Sequence, residues 1–410
     1  MSKLEELIKK LCPKGVEYKT LGTLGEFYGG LSGKNKNDFN KGNAKYITYM
    51  NIYKNIKVNK NNLEKVKINE GEKQNKVEYG NVLFTGSSEN LEECGLSSVF
   101  TDNIDDDIYL NSFCFGLKFY NKEMFNPEFL KYLFRSRNLR KKIIRTASGV
   151  TRFNVSKKKM ENISIPVPPI EVQNEIVRIL DSFTELEAEL EAELEARRKQ
   201  YEFYKENLLK NKNNIKKLKE VADIYDSLHA TPQYVNEGYP MVRVADIKFG
   251  YVNTESTLKV DKKTYIKFIQ KYKPKEDDII ISRVGSYGNV CIVNKEELCL
   301  GQNTSIIHPK INKKYLYYYL SSSNVQNWIK CNVNGAGYKS LSLANINEIP
   351  INVPEIKEQV YIVNILDRFD KLCNDMFEGL PAEIEARRKQ YEYYRDKLLD
   401  FKELKVENKE

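Results

Sequence analysis

Apolar and polar positions along this chain follow two rhythms, and the change from one to the other happens twice. Short β-branched or aromatic runs closed by glycine or asparagine turns read as strands at residues 16–21, 46–52, 80–86 and 113–119, and again at 215–218, 242–247, 278–285 and 291–293. Each series then gives way to helical spacing. From Pro168-Pro169 onward, Phe183, Leu190, Leu194, Tyr201, Tyr204 and Leu208 step by about three, four or seven, the seam of a coiled coil, and proline suits the first turn of such a helix. From Pro354 onward, Ile384, Tyr391, Tyr394 and Leu398 occupy matching places, while Gly379-Leu380-Pro381 predicts a break. A helix over residues 170–210 would be roughly 60 Å long at about 1.5 Å per residue, more than one domain needs for its own packing. It requires a partner helix, and the other copy is the nearest candidate.

The two series are copies. Residues 126–183 lie over 312–369 without a gap at an offset of 186. Gly149 meets Gly335, Ser156 meets Ser342, and Gln173, Ile176, Leu180, Asp181 and Phe183 recur as Gln359, Ile362, Leu366, Asp367 and Phe369. Residues 192–204 then recur as 382–394 at an offset of 190, four residues having entered the second connection. Repetition on this scale sets the architecture. The earlier parts of the halves agree in pattern and little in identity, so similar tails with divergent bodies point to one shared kind of partner and two different ligands. The expected fold is mixed α/β with a pseudo-two-fold internal repeat. Its boundaries fall at a first body over 1–168, a long helix over 169–212, a second body over 213–353, and a second helix over 354–410 broken near 379–381.

Composition narrows the function. A chain of 410 residues is too long for one ordinary core, and 66 basic against 57 acidic residues leave it at +9. Seven cysteines without a C-x-x-C spacing fit neither a disulfide framework nor a zinc ribbon, and imply a reducing, cytoplasmic setting. There is no apolar run of eighteen residues, so no membrane span is expected. Catalytic signals are poor. His229 and His308 stand alone, no Walker loop is present, and Asn126-Pro127-Glu128-Phe129 reads as a helix cap because its second copy begins Asn312-Lys313-Lys314-Tyr315. No catalytic or metal site is expected in this chain.

Nucleic-acid signals are stronger. Arg135, Arg137, Arg140, Lys141, Lys142, Arg145 and Arg152 crowd the end of the first body, and Lys262, Lys263, Lys267, Lys271, Lys273 and Lys275 crowd the second. Clustered cations neutralise phosphates, and polar loops flanked by glycine can approach bases closely. The candidate DNA contacts are Lys34, Lys36, Ser87, Ser88, Thr151 and Arg152 in the first half, and Arg243, Arg283, Ser286, Tyr287, Tyr338 and Lys339 in the second. Repeated tails place candidate protein contacts at Arg197, Arg198, Tyr201 and Tyr204, and at Arg387, Arg388, Tyr391 and Tyr394.

Two variable bodies, each followed by Pro168-Pro169-Ile170-Glu171-Val172-Gln173 or Pro354-Glu355-Ile356-Lys357-Glu358-Gln359 and then by Glu-Ala-Arg-Arg-Lys-Gln-Tyr-Glu, resemble the specificity subunit of type I restriction-modification systems. The resemblance covers nearly the whole chain. The first tail departs from the family pattern by carrying Glu-Leu-Glu-Ala units over 185–196 in place of Gly-Leu-Pro, and Asn352 stands where the first copy has Pro166. The resemblance implies two target recognition domains held apart by an antiparallel pair of helices, each domain reading one half of a split site in double-stranded DNA. It further implies two modification subunits, which carry S-adenosylmethionine and methylate adenine, and restriction subunits that use ATP and Mg²⁺; this chain holds no cofactor itself. One Glu-Leu-Glu-Ala unit is about 6 Å of helix, close to two base pairs at roughly 3.4 Å each, which ties unit number to the unread gap. The competing readings are a coiled-coil scaffold with merely solvated loops, and an autonomous nuclease or methyltransferase.

Overall fold

A computed structural model describes residues 3–39, 42–210, 214–294, 297–335, 339–375 and 377–404. The chain packs as two units, residues 1–189 with 384–410, and residues 190–383. Each unit thus joins one body, the start of the helix that follows it, and the end of the other copy's helix.

The bodies share a topology that their sequences conceal. In the first unit Glu17–Thr20 pairs antiparallel with Ser164–Val167 and clasps the two ends of the body; in the second, Ile215–Lys217 does the same with Pro350–Asn352. A four-stranded antiparallel sheet runs in the order Gly25–Gly29, Cys114–Phe119, Val82–Thr85, Ser97–Val99, and its counterpart in the order Ala222–Asp226, Thr304–Pro309, Ile279–Ser282, Val290–Ile292. A three-stranded sheet orders Leu63–Val66, Ala44–Ile47 and Ile108–Leu110 in one unit, and Leu258–Val260, Tyr239–Val242 and Cys299–Leu300 in the other. In both, the last two of these strands are parallel.

Burial explains which runs became strands. Val82–Thr85 and Ile279–Ser282 are buried at every position, the continuous apolar pattern of a strand covered on both faces. Phe84 stacks on Phe115 at 5.2 Å and meets Phe134 edge-on at 5.4 Å, centring the first core. Two of the expected strands are shorter than their apolar runs. The run over 46–52 splits, because the Thr48 side chain accepts from Asn51 N and caps a helix, Tyr49–Lys54. The run over 242–247 likewise ends at Val242, where Arg243 and Asp246 close a 3-10 turn, Val244–Asp246. A local cap outweighs β propensity in both places.

The long helix Ile170–Leu208 is continuous, and its second-copy counterpart is broken into Ile356–Asn374 and Leu380–Leu398. Gly379 sits at the break, where a Cβ would come within 2.6 Å of the Lys371 and Asp375 carbonyl oxygens. In the first unit Phe183 stacks on Tyr394 at 5.4 Å and Arg388 donates to Glu187 at 2.5 Å, so one residue number falls as the other rises and the helices are antiparallel. In the second unit Tyr204 stacks on Phe369 at 5.5 Å, the same contact under the repeat.

The helix-to-body contacts also recur. Tyr132 donates to Asp181 at 2.5 Å, and Tyr318 to Asp367 at 2.6 Å. Gln173 accepts from Asn126 N and donates to Pro168 O, as Gln359 does with Asn312 N and Pro354 O. Asp396 takes the Arg137 N–H at 2.9 Å and Glu206 the Ser323 N–H at 2.9 Å, each a carboxylate at a helix N-terminus. Asn126 and Asn312 cap their helices, as their positions predict.

Candidate nucleic-acid interface

Loops distant in sequence meet at one tip in each body. In the first unit Ala147–Ser148, Phe153–Val155 and Ser87–Ser88 form a small antiparallel sheet, with Asn154 paired to both Ser148 and Ser87. In the second, Ser340 pairs with both Asn334 and Val284. Asn334 and Ser340 are Ser148 and Asn154 at the repeat offset of 186, so the tips are equivalent in geometry and different in side chains. Gly149 at φ 147° and Gly335 at φ 101° turn the two hairpins, and a Cβ on Gly149 would collide with the Arg152 carbonyl.

At the first tip Arg152 Nε donates to Ser87 Oγ at 3.0 Å, and its guanidinium lies 5.7 Å over the Phe113 ring. Tyr49 fixes the same strand by donating to Ser87 O at 2.9 Å, which leaves Ser87 buried. Thr151 is exposed at the turn, and Ser88 accepts from Asn90 N. Phe113 is 59% exposed and Val150 91%, and neither follows from reading the loops as polar. An apolar residue beside Gly149 in a polar loop was the available signal.

At the second tip Ser286 and Lys339 are exposed and Tyr287 is half-buried against the core. Tyr338 lies outside the described residues. Arg283 is drawn inside, donating to Asp226 at 2.5 Å and to Leu341 O at 3.1 Å. Burial pushes the Asp226 carboxyl up, but the hydrogen bond and charge of Arg283, with His229 at 3.1 Å, hold it below the usual carboxylate range. Arg243 forks onto Asp246 at 3.1 and 3.2 Å.

Other cations behave alike. Lys34 is 5% exposed and paired with Glu72 at 2.5 Å; that hydrogen bond, with those from Asn69 N and Gln74, holds Glu72 at about 2. Lys36 remains exposed on the turn Lys36–Phe39. Arg135 donates to the Ser97 and Ile52 carbonyls at 2.7 and 3.1 Å, Arg140 to those of Cys94 and Glu92 at 2.7 and 3.0 Å, and burial lowers both guanidinium pKa values to about 10. These two arginines are struts of the body rather than members of an exposed basic patch.

On the helices, Tyr201 is buried against Phe369, Tyr391 meets Tyr132 edge-on at 6.3 Å, and Tyr204 and Tyr394 are partly exposed. Arg197 bonds Gln200 at 3.0 Å and Arg387 bonds Gln390 at 3.2 Å, Arg388 holds Glu187, and Arg198 is exposed. The residues just before the two partly exposed tyrosines, Phe203 at 64% and Tyr393 at 60% exposed, are a repeated pair that seam spacing overlooks. Among the described residues no three His, Cys, Asp or Glu side chains converge on a metal geometry, and no helix is long and apolar enough to cross a membrane.

Two copies of one scaffold, carried on antiparallel helices and ending in unlike tips, define a tandem recognition protein. The model of the type I restriction modification DNA specificity domain matches the chain twice, over residues 13–196 and 210–386. A Haemophilus influenzae protein named as a type I restriction enzyme specificity subunit is 34% identical over 294 residues, 68% of this chain and 74% of its own length. An Escherichia coli type I restriction enzyme specificity subunit is 35% identical over 266 residues, 60% of this chain and 64% of its own length. The HsdS subunit of Thermoanaerobacter tengcongensis has a similar fold, with a TM-score of 0.52 at 17% identity, over 95% of this chain and 96% of that one. A chain from a structure described as bearing on complex assembly and conformational transition of the type I restriction-modification system matches with a TM-score of 0.62 at 16% identity, over 94% of this chain and 98% of that one. The chain belongs to the type I restriction-modification DNA specificity family. It is a recognition subunit, not a catalytic one.

Proposed function

We propose that each tip reads one half of a bipartite DNA site, the first through Ser88, Thr151 and Arg152 and the second through Ser286, Tyr287 and Lys339. The observation that carries this reading is the same pairing made by unlike residues, Ser148, Asn154 and Ser87 in a small sheet of one body and Asn334, Ser340 and Val284 in isolated bridges of the other. A shared frame presents two different sets of donors, which is what two unlike half-sites require. The repeated helix surfaces around Phe203 and Tyr204, and around Tyr393 and Tyr394, then dock two modification subunits that bring S-adenosylmethionine to an adenine in each half. Restriction subunits using ATP and Mg²⁺ would join that core in the cytoplasm.

The test is to replace residues 150–152 with alanines in the chain assembled with its modification subunits, and to sequence the methylated DNA. The expected result is a change or loss of selectivity in one half of the target with the other half retained. Equal loss in both halves would contradict the assignment.

A further inference from the structure

The segments between the three-stranded and four-stranded sheets occupy the same topological place in the two bodies, yet their charges differ. Residues 67–80 of the first body hold Lys67, Lys73 and Lys76 against Glu70, Glu72 and Glu78. Residues 261–278 of the second body hold Lys262, Lys263, Lys267, Lys271, Lys273 and Lys275 against Asp261, Glu276, Asp277 and Asp278, with all six lysines between the flanking acids.

The local fold explains why these lysines face water. Asp261 caps the helix Lys262–Phe268 by accepting from Thr264 N at 2.7 Å. Tyr265 and Phe268 turn inward to Met241, Val260 and Cys299, with Tyr265 stacked on Tyr239 at 4.1 Å. Lys262, Lys263 and Lys267 are left on the outer face, and Lys271, Lys273 and Lys275 are exposed on the loop that follows. Among the described residues none of the six has a carboxylate within ion-pair distance, and the nearby Asp277 is taken by Lys313. Six like charges held within fourteen residues repel one another, and a polyanion relieves that repulsion.

A second observation points to a ligand. Lys267, Gln270 and Lys271 line a cavity of about 80 Å³ together with Asp226, Ser227 and Tyr272. This is more than the roughly 10–15 Å³ that one water needs. Ser227 is 3% exposed, and its hydroxyl has no hydrogen-bond partner. Such a buried polar atom costs stability unless something else satisfies it. The one carboxylate in the lining, Asp226, is already paired with the Arg283 guanidinium at 2.5 Å, so it does not bar an anion.

We propose that the second body carries a sequence-blind anchor for DNA backbone phosphate, made of the Ser227 cavity and the lysines of residues 262–275, with no counterpart at the same topological place in the first body. It rests on the DNA-reading function and adds to it an unequal division of labour. The anchor supplies salt-sensitive affinity, and the tips supply the choice of bases.

The experiment uses the full chain assembled with its modification subunits and measures binding to cognate and scrambled duplexes against salt concentration. Lys263→Gln, Lys267→Gln and Lys271→Gln together should lower the slope of log affinity against log salt by about two to three, at about 0.9 per lost phosphate contact. Cognate and scrambled DNA should weaken by the same factor, with the methylated sequence and the melting temperature unchanged. Lys67→Gln with Lys73→Gln should leave the slope as it was. An unchanged slope in the triple variant, or a loss confined to cognate DNA, overturns the anchor. Tight binding of inorganic phosphate or ATP to the DNA-free complex, abolished by the same substitutions, would also overturn it by making the site one for a free phosphate compound. Failure of the unsubstituted complex to prefer cognate DNA would instead strike at the recognition reading itself.

Discussion

Lys34 and Arg152 are both cations in glycine-rich polar loops, and nothing in their spacing tells them apart. Folding does, because Lys34 has a carboxylate within reach and Arg152 has an aromatic face and a serine. Arg152→Ala should therefore cost about 1–3 kcal/mol of DNA affinity, measurable by fluorescence anisotropy on the assembled complex. Lys34→Met should lower the melting temperature and leave the salt slope of binding unchanged. Acid sensitivity also belongs to single residues. The Arg178 hydrogen bond, with Lys3 also bonded, holds Glu175 at about 2, whereas an unfolded glutamate titrates near its ordinary value of about 4.3. A lowered folded pKa contributes stability that is present above the unfolded value and is lost as pH falls through the folded one. Melting temperature should drop between about pH 4.5 and pH 2, and Glu175→Gln should flatten that part of the profile.

At the scale of elements, the helices were far more legible than the bodies. Gln173, Asp181 and Phe183 recur at a fixed offset because each makes a contact that both copies need, with Asn126 N, Tyr132 and Tyr394 in the first unit. The bodies hide their common topology because a strand needs only apolar character and register, which Val82–Thr85 and Ile279–Ser282 satisfy without matching. The helix Tyr49–Lys54 was illegible for a related reason: its residues favour strands, and a single Thr48 hydrogen bond decides otherwise. The tips were half legible. Glycine turns located the loops, but that residues 87 and 154 pair could be seen only after folding. Phe369, held between Tyr201 and Tyr204 at 6.2 and 5.5 Å, gives a test of the helix pairing. Phe369→Ala should cost about 2–4 kcal/mol, and calorimetry should show the loss in the transition of the second unit. The repeat over 185–196 belongs to the same scale, and deleting residues 189–192 should shorten the unread gap by about two base pairs while leaving both half-sites as they were.

Over the whole molecule, the charge of +9 is modest for a protein that reads DNA, and its placement matters more than its sum. Arg135, Arg140, Arg243, Arg283 and Lys34 are committed to internal partners, whereas residues 262–275 leave their cations free for a polyanion. The repeat supplies two equivalent frames, and the differences between them, in tip residues and in the basic segment, are where function divides. The central claim is that each body reads its own half of one target. It is tested most directly by methylome sequencing of cells that carry the chain with its modification subunits, in the natural form and with residues 150–152 replaced. The account predicts one bipartite motif with two unlike halves and a fixed gap, of which the replacement alters a single half. A continuous motif, or a replacement that alters both halves together, would contradict it.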